Sequence, residues 1–230
     1  LLNDFWMDWE EADASNSQFC GGKTDNSKCF DRVSPELAIH LIEMLGLDGD
    51  IVHMLRDFYD ELLSWFVLDS VASPDPIMRL RGLLQGCPFS MLLLGAIMTC
   101  HLHAVKSYAK CRTFVDDRLF NAQSLTNLKC AIDITLEFDE KMGWVINCSK
   151  GSCFARKVDD QTLLDEISAS IGPVTSNLNN LGIDLDIEGG VRYEGSPHIR
   201  KKAIGKACQQ IDFIARASGS KNQAARICKQ

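Results

Sequence analysis

The chain has 230 residues, 46% of them hydrophobic and 24% charged, with a formal net charge of −7. That length and apolar content can bury a sizeable core in one compact domain plus an extension, which excludes a disordered chain and an array of independent domains. The ten cysteines stand singly, with no CxxC pair, so they are read as reduced thiols of an intracellular, non-secreted protein in preference to a zinc site or a disulfide framework.

Leu1 to Ala12 is predicted as a helix with Leu2, Phe5, Trp6 and Trp9 on one face, followed by a polar loop around Ala14 to Ser17. A strand should then carry Asp25, although Cys20-Gly21-Gly22-Lys23-Thr24 is far less apolar than a buried central strand is expected to be. Ser34 as N-cap and Pro35 at the first helical position open a helix whose stripe is Leu37, Leu41, Met44 and Leu45, stopped by Gly46. A second helix follows Asp50. Ser64 to Val71 and Ile77 to Leu83 flank Ser73-Pro74-Asp75-Pro76, a turn signal, and so predict a hairpin that leads into the glycine-bounded segment Gly82-Leu83-Leu84-Gln85-Gly86.

Pro88 opens a long apolar helix. Its strongly apolar part, Met91 to Cys100, is too short to span a bilayer, and neither a membrane segment nor a cleavable leader is expected. His101 and His103, one residue apart, cannot share a helix face and read as structural. Cys111 to Ala122 reads as a second hairpin with Asp116 and Asp117 at its tip; Ala131, Ile134, Phe138 and Met142 give the next helix a buried face, and Val145 and Ile146 return as a strand. Helices alternating with hairpins, without a regular crossover pattern, predict an α+β fold: an antiparallel sheet with helices packed on one face.

Acidic net charge argues against a nucleic-acid partner, because affinity for a phosphate backbone comes mainly from Lys and Arg. Its distribution argues the other way. Residues 198–230 carry eight basic side chains, Arg200, Lys201, Lys202 and Lys206 among them, against the single Asp212; this tail is +7 and the remainder −14. A solvated helix face and a duplex-contacting surface both fit that pattern.

An Asp-Asp pair between short apolar runs is, alone, a common hairpin turn. With Asp25 upstream, the same pair can supply the carboxylates for two divalent metals. The segments around Asp25, Gln85-Gly86 and Asp116-Asp117, in this order, resemble motifs A, B and C of the reverse transcriptase palm, in the branch of non-LTR retrotransposon and group II intron enzymes. Met142 to Lys150 resembles motif D, and Asn180-Leu181-Gly182-Ile183 resembles motif E.

The resemblance implies an RNA-directed DNA polymerase that transfers nucleotides to a primer 3′ hydroxyl with two magnesium ions about 4 Å apart, manganese substituting. It implies Asp25, Asp116 and Asp117 as metal ligands, with Lys150 as the acid that protonates the leaving pyrophosphate. Phe30 would exclude the ribose 2′ hydroxyl, Gln85 and Gly86 would support the nascent pair, and Leu181-Gly182 would form the primer grip. Arg200, Lys201, Lys202 and Lys206 would contact nucleic acid at the start of the helical thumb. The implied division is 1–18 as the end of the fingers, 19–190 as the palm and 191–230 as the thumb. The implied partners are an RNA template, a DNA primer, deoxynucleoside triphosphates and the rest of a retrotransposon polyprotein, in the cytoplasm or nucleus. An RNA-directed RNA polymerase palm and a catalytically silent palm kept as an RNA-binding scaffold stand as alternatives. The sequence departs from the family pattern where Arg118 directly follows the acidic pair and Met91 follows Ser90.

Overall fold

The structure, a computed structural model, describes residues 2–157, 160–180 and 183–187, and the chain divides into two compact units with the boundary between Thr175 and Ser176. The first unit opens with α1 (Leu2–Ala14) and β1 (Phe19–Thr24), followed by the helices α2 (Cys29–Arg32), α3 (Pro35–Met44) and α4 (Gly49–Asp60). Four two-residue strands come next: β2 (Leu63–Ser64), β3 (Val67–Leu68), β4 (Val71–Ala72) and β5 (Ile77–Met78). Then follow α5 (Pro88–Val105), β6 (Lys110–Phe114), β7 (Asp117–Ala122), α6 (Leu125–Met142), β8 (Ser152–Arg156) and α7 (Gln161–Ile171).

The main sheet has the order β6-β7-β1-β8, with every neighbouring pair antiparallel. Successive side chains of a strand point to opposite faces, and directly paired residues share a face, so the register assigns every position. Cys20, Phe120, Ala122 and Cys153 face one side, where they pack with Leu128, Ala131 and Ile132 of α6 and Ile167 and Ile171 of α7. On the other side α1 covers one end: the Phe5 ring meets Phe19 and Phe154 edge-on, Asp8 pairs with Arg112, and Arg156 lies over the Trp9 ring. The α+β arrangement expected from the sequence is therefore present, with helices against one face and α1 on part of the other.

The glycines of β1 explain its low apolar content. A Cβ on Gly21 would lie 2.1 Å from the Phe120 carbonyl oxygen and 2.3 Å from the Phe154 ring, and one on Gly22 would lie 2.5 Å from Ile171 Cδ1. Rings and aliphatic side chains from neighbouring elements fill the space that β1 leaves. The strand is buried almost throughout, as a central strand should be.

Several expected details move. The buried face of α3 is Pro35, Ala38, Ile39 and Ile42, while Met44 and Leu45 are exposed; the helical period is as expected and its phase is rotated, because α3 packs against α4 and α5. The segment 63–78 is a nested hairpin, β3 on β4 and β2 on β5, and its tip is Asp69-Ser70, both at positive φ as a two-residue hairpin turn requires. The proline segment instead joins β4 to β5. Val145 and Ile146 form no strand: Ile146 makes an isolated bridge to Asn26, and the returning strand is β8. α5 as a whole, 18 residues of mean hydropathy 1.5, is long and apolar enough to cross a membrane, in contrast to the shorter stretch anticipated. Here Leu93, Leu94, Ala96, Ile97 and Met98 of α5 belong to the core it shares with α3 and α4. His101 is buried, with Nε2 2.9 Å from Thr135 Oγ1, while His103 is exposed.

In the second unit, β9 (Asn177–Asn180) and β10 (Ile183–Asp186) pair antiparallel. Leu181, Gly182 and the basic segment with Arg200, Lys201, Lys202 and Lys206 lie outside the described residues.

Candidate functional site

The face that α1 leaves open carries the acidic residues. Thr24 and Asn26 are buried beneath the sheet, so Asp25 between them points the other way; Arg118 is buried too, and Asp117 before it points to the same open side as Asp25. Asp25 sits just past the end of β1. Its carbonyl accepts from the Asn147 backbone N–H at 2.8 Å, and Ser27 N–H donates to the Val145 carbonyl at 2.9 Å, so the segment after α6 closes over the strand end.

Asp116 occupies the two-residue tip between β6 and β7, where Phe114 and Asp117 are paired. The other tip residue, Val115, has φ of +62°, a conformation that a β-branched residue adopts only under strain. Its side chain packs against the core beneath α5, which holds the turn in place.

Electrostatics marks these carboxylates as one group. Burial pushes the Asp116 carboxyl above the usual carboxylate range, and the neighbouring Asp25 and Asp117 charges push it further. Asp117 is likewise raised, first by burial, while Lys23 and Lys150 oppose the shift. Two lysines answer the charge: Lys150 Nζ lies 3.1 Å from Asp25 Oδ2, and Lys23 Nζ lies 3.7 Å from Asp117 Oδ1. The Asp25 pairing raises the Lys150 pKa above its ordinary value. Apart from that ion pair, the buried Asp25 Oδ2 has no hydrogen-bond partner among the described residues.

The donor set fits a hard divalent cation. Carboxylate oxygens are what magnesium takes, and it completes its shell with waters and substrate phosphates. Among the described residues no three His, Cys, Asp or Glu side chains come together as a group that could hold a metal ion by itself, so such an ion would depend on those additional ligands.

Phe30 lies in α2, partly buried, with its carbonyl accepting from Leu83 N–H at 2.8 Å; Gly82 N–H donates to the Val33 carbonyl at 2.7 Å. The Gly82–Gly86 segment is thereby tied to the helix that carries the ring. Cys87 N–H donates to the Leu84 carbonyl at 3.1 Å, closing a turn with Gln85 and Gly86 exposed at its centre and Gly86 at φ +91°. That φ is the one a type II turn demands at its third residue, and it favours glycine. Asp31 lies 3.5 Å from Arg79.

Sequence reasoning missed Lys23, Arg118 and Asp139. Lys23 could have been found from alternation, since it stands two residues before Asp25 and shares its face. Arg118 stands out in the sequence only as a departure from the family pattern, and its partner Asp139, 21 residues away in α6, has no local signal.

A family model described as "Reverse transcriptase (RNA-dependent DNA polymerase)" matches residues 6–185. Among solved structures, the chain is similar to apo telomerase from Candida tropicalis truncated from its C-terminal domain, at 13% identity and a TM-score of 0.64, covering 84% of this chain and 39% of that one. Telomerases in complex with the TWJ fragment of telomeric RNA are similar too: that of Candida tropicalis at 14% identity, covering 85% of this chain and 33% of that one, and that of Candida albicans at 13%, covering 86% and 34%, both at a TM-score of 0.61. The likeness at such identities is one of fold, and the chain spans little more than a third of the length of these structures.

Proposed function

The chain belongs to the reverse transcriptase (RNA-dependent DNA polymerase) family, and from that premise we propose that it is the palm of an RNA-directed DNA polymerase that extends a primer by nucleotidyl transfer. The observation that carries the proposal is the convergence of Asp25 and Asp117 on one open sheet face beside Asp116 at the hairpin tip, where burial first and the neighbouring carboxylates next raise two of the three pKa values, with a charged lysine against Asp25.

In this reading Asp25, Asp116 and Asp117 hold two magnesium ions, with manganese as a substitute. Bound there, the metals would stabilise the charge that gathers on the attacking and leaving oxygens of the transferred phosphoryl group. Lys150, kept protonated by Asp25, stands ready to give its proton to the pyrophosphate. Phe30, on a helix tied to the Gln85-Gly86 turn, closes the space in which a ribose 2′ hydroxyl would sit and so selects deoxynucleotides. The exposed turn glycine lets the template backbone approach closely.

The division into residues 1–18 from the fingers, 19–190 as palm and 191–230 as the start of the thumb belongs to the same proposal. So do a non-LTR retrotransposon or group II intron ancestry, supported by the order of the five motifs, and an RNA template, a DNA primer and an intracellular setting. A silent scaffold is disfavoured because it has no use for three mutually repelling carboxylates. The test is primer extension on an RNA template by the longest natural polypeptide containing this chain. Magnesium-dependent incorporation of deoxynucleotides, abolished in Asp116→Ala/Asp117→Ala, is expected; RNA binding without extension would favour the scaffold.

A further inference from the structure

The buried guanidinium of Arg118, a residue of β7, links the end of β1 with α6. Its Nε donates to Thr24 Oγ1 at 3.0 Å, Nη2 donates to Asn26 Oδ1 at 2.9 Å, and Nη1 and Nη2 donate to the Asp139 carboxylate at 2.8 and 2.5 Å. Arg118 and Asp139 are 0% and 2% exposed. Thr24 and Asn26 bracket Asp25, and Arg118 itself follows Asp117. α6, which presents Asp139, runs at its end into the segment that closes on Asp25 and bears Lys150: Trp144 N–H donates to the Asp139 carbonyl at 2.8 Å.

Stability alone does not account for this group. Apolar side chains of similar volume fill a core as well as a buried ion pair, or better, whereas a planar five-donor fork fixes the mutual placement of whatever it binds. Alternation converts that placement into function. Holding residues 24, 26 and 118 beneath the sheet forces 25 and 117 to its open face and sets the spacing of the strand ends from which they project.

We propose that Arg118, anchored by Asp139, is a positioning residue that sets the separation of the Asp25 and Asp117 carboxylates and thereby the site's selectivity for magnesium. The proposal rests on the polymerase reading of that site. Magnesium demands near-ideal octahedral geometry, whereas manganese, slightly larger and equally charged, tolerates distorted oxygen sites better. Loosening the clamp penalises the first metal more than the second. A variant that merely lost fold stability would lose activity with both metals in proportion.

The test uses Arg118→Lys, which keeps the charge and loses the fork, and Thr24→Val, which cuts only the link to β1 and leaves the ion pair intact. Both are made in the longest natural polypeptide containing this chain, with folding followed by circular dichroism. Manganese affinity is measured by electron paramagnetic resonance without nucleotide, and extension is compared in magnesium and in manganese. We expect manganese binding to weaken severalfold and the ratio of magnesium- to manganese-supported kcat to fall on the order of tenfold to hundredfold, the range that a misplacement of about 1 Å produces, with KM for deoxynucleotide nearly unchanged. Folded variants with wild-type manganese affinity and an unchanged metal ratio would overturn the proposal. Should Arg118→Lys fail to fold, Thr24→Val decides alone. If the unaltered protein extends no primer with either metal, the polymerase reading fails, and manganese affinity in Thr24→Val still decides for or against the clamp.

Discussion

Burial and mutual repulsion hold the Asp116 and Asp117 carboxyls above their ordinary range, so the folded chain binds protons there more readily than the unfolded chain does. By linkage, stability then falls as pH rises through the window between the ordinary carboxylate pKa of 3.8 and the raised value, and the deficit persists at neutral pH. Asp116→Asn should therefore raise the melting temperature of the metal-free protein at neutral pH, on the order of a few degrees, while extension is abolished. The gain should vanish below the ordinary carboxylate pKa, where both side chains are neutral; thermal unfolding in a chelator across pH measures it. Magnesium should stabilise the unaltered protein and do far less for the variant. Phe30→Ala should admit ribonucleotides, lowering discrimination on the order of tenfold to hundredfold in single-nucleotide insertion assays; unchanged sugar selection would remove the ring's role. The shared face of Asp25 and Asp117 was legible in the sequence, because alternation along two strands fixes it and the resemblance singles out their positions. Lys23 and the Arg118–Asp139 pair were not, since a charge that meets its partner only in the folded core leaves no local pattern.

At the scale of elements, β1 leaves little tolerance. Gly21→Ala would drive a methyl carbon into the Phe120 carbonyl and the Phe154 ring, separating β1 from its neighbours. We expect a loss of roughly 3 kcal/mol or more, at the severe end for overpacking, read by urea denaturation. The same crowding explains why composition undersold this strand: burial was supplied by neighbouring side chains, which strand hydropathy does not record. Helix periods were legible for α3 and α6 but their phases were not, because period comes from the helix and phase from what packs on it: α6 buries Leu128, Ala131, Ile132, Thr135 and Asp139, while Ile134, Phe138 and Met142 are only partly buried. Proline punctuation misled in the nested hairpin. Two residues at positive φ, Asp69 and Ser70, make its turn, and neither is glycine.

Across the whole molecule, the charge asymmetry between the acidic body and residues 198–230 gives a prediction independent of catalysis. Replacing Arg200, Lys201, Lys202 and Lys206 by Gln should weaken primer-template binding and flatten the slope of log affinity against log salt by up to about 3 to 4, close to one unit for each phosphate that is no longer neutralised. An unchanged slope would assign those residues to a solvated face. Fold class and motif order were readable over the whole first unit, because alternation, capping and turn residues act locally. The position of the boundary at Thr175–Ser176 was not, since it depends on which segments pack together.

The Arg118–Asp139 pair also constrains how this sequence can drift. Losing either partner alone strands a buried charge, at a cost of about 3–5 kcal/mol, comparable to much of a domain's net stability. The two positions are therefore epistatic: a lineage reaches an apolar core here through a double change or through a poorly folded intermediate. Among homologous sequences the arginine and the aspartate should appear and disappear together, and a copy released from selection should reveal itself by keeping one without the other.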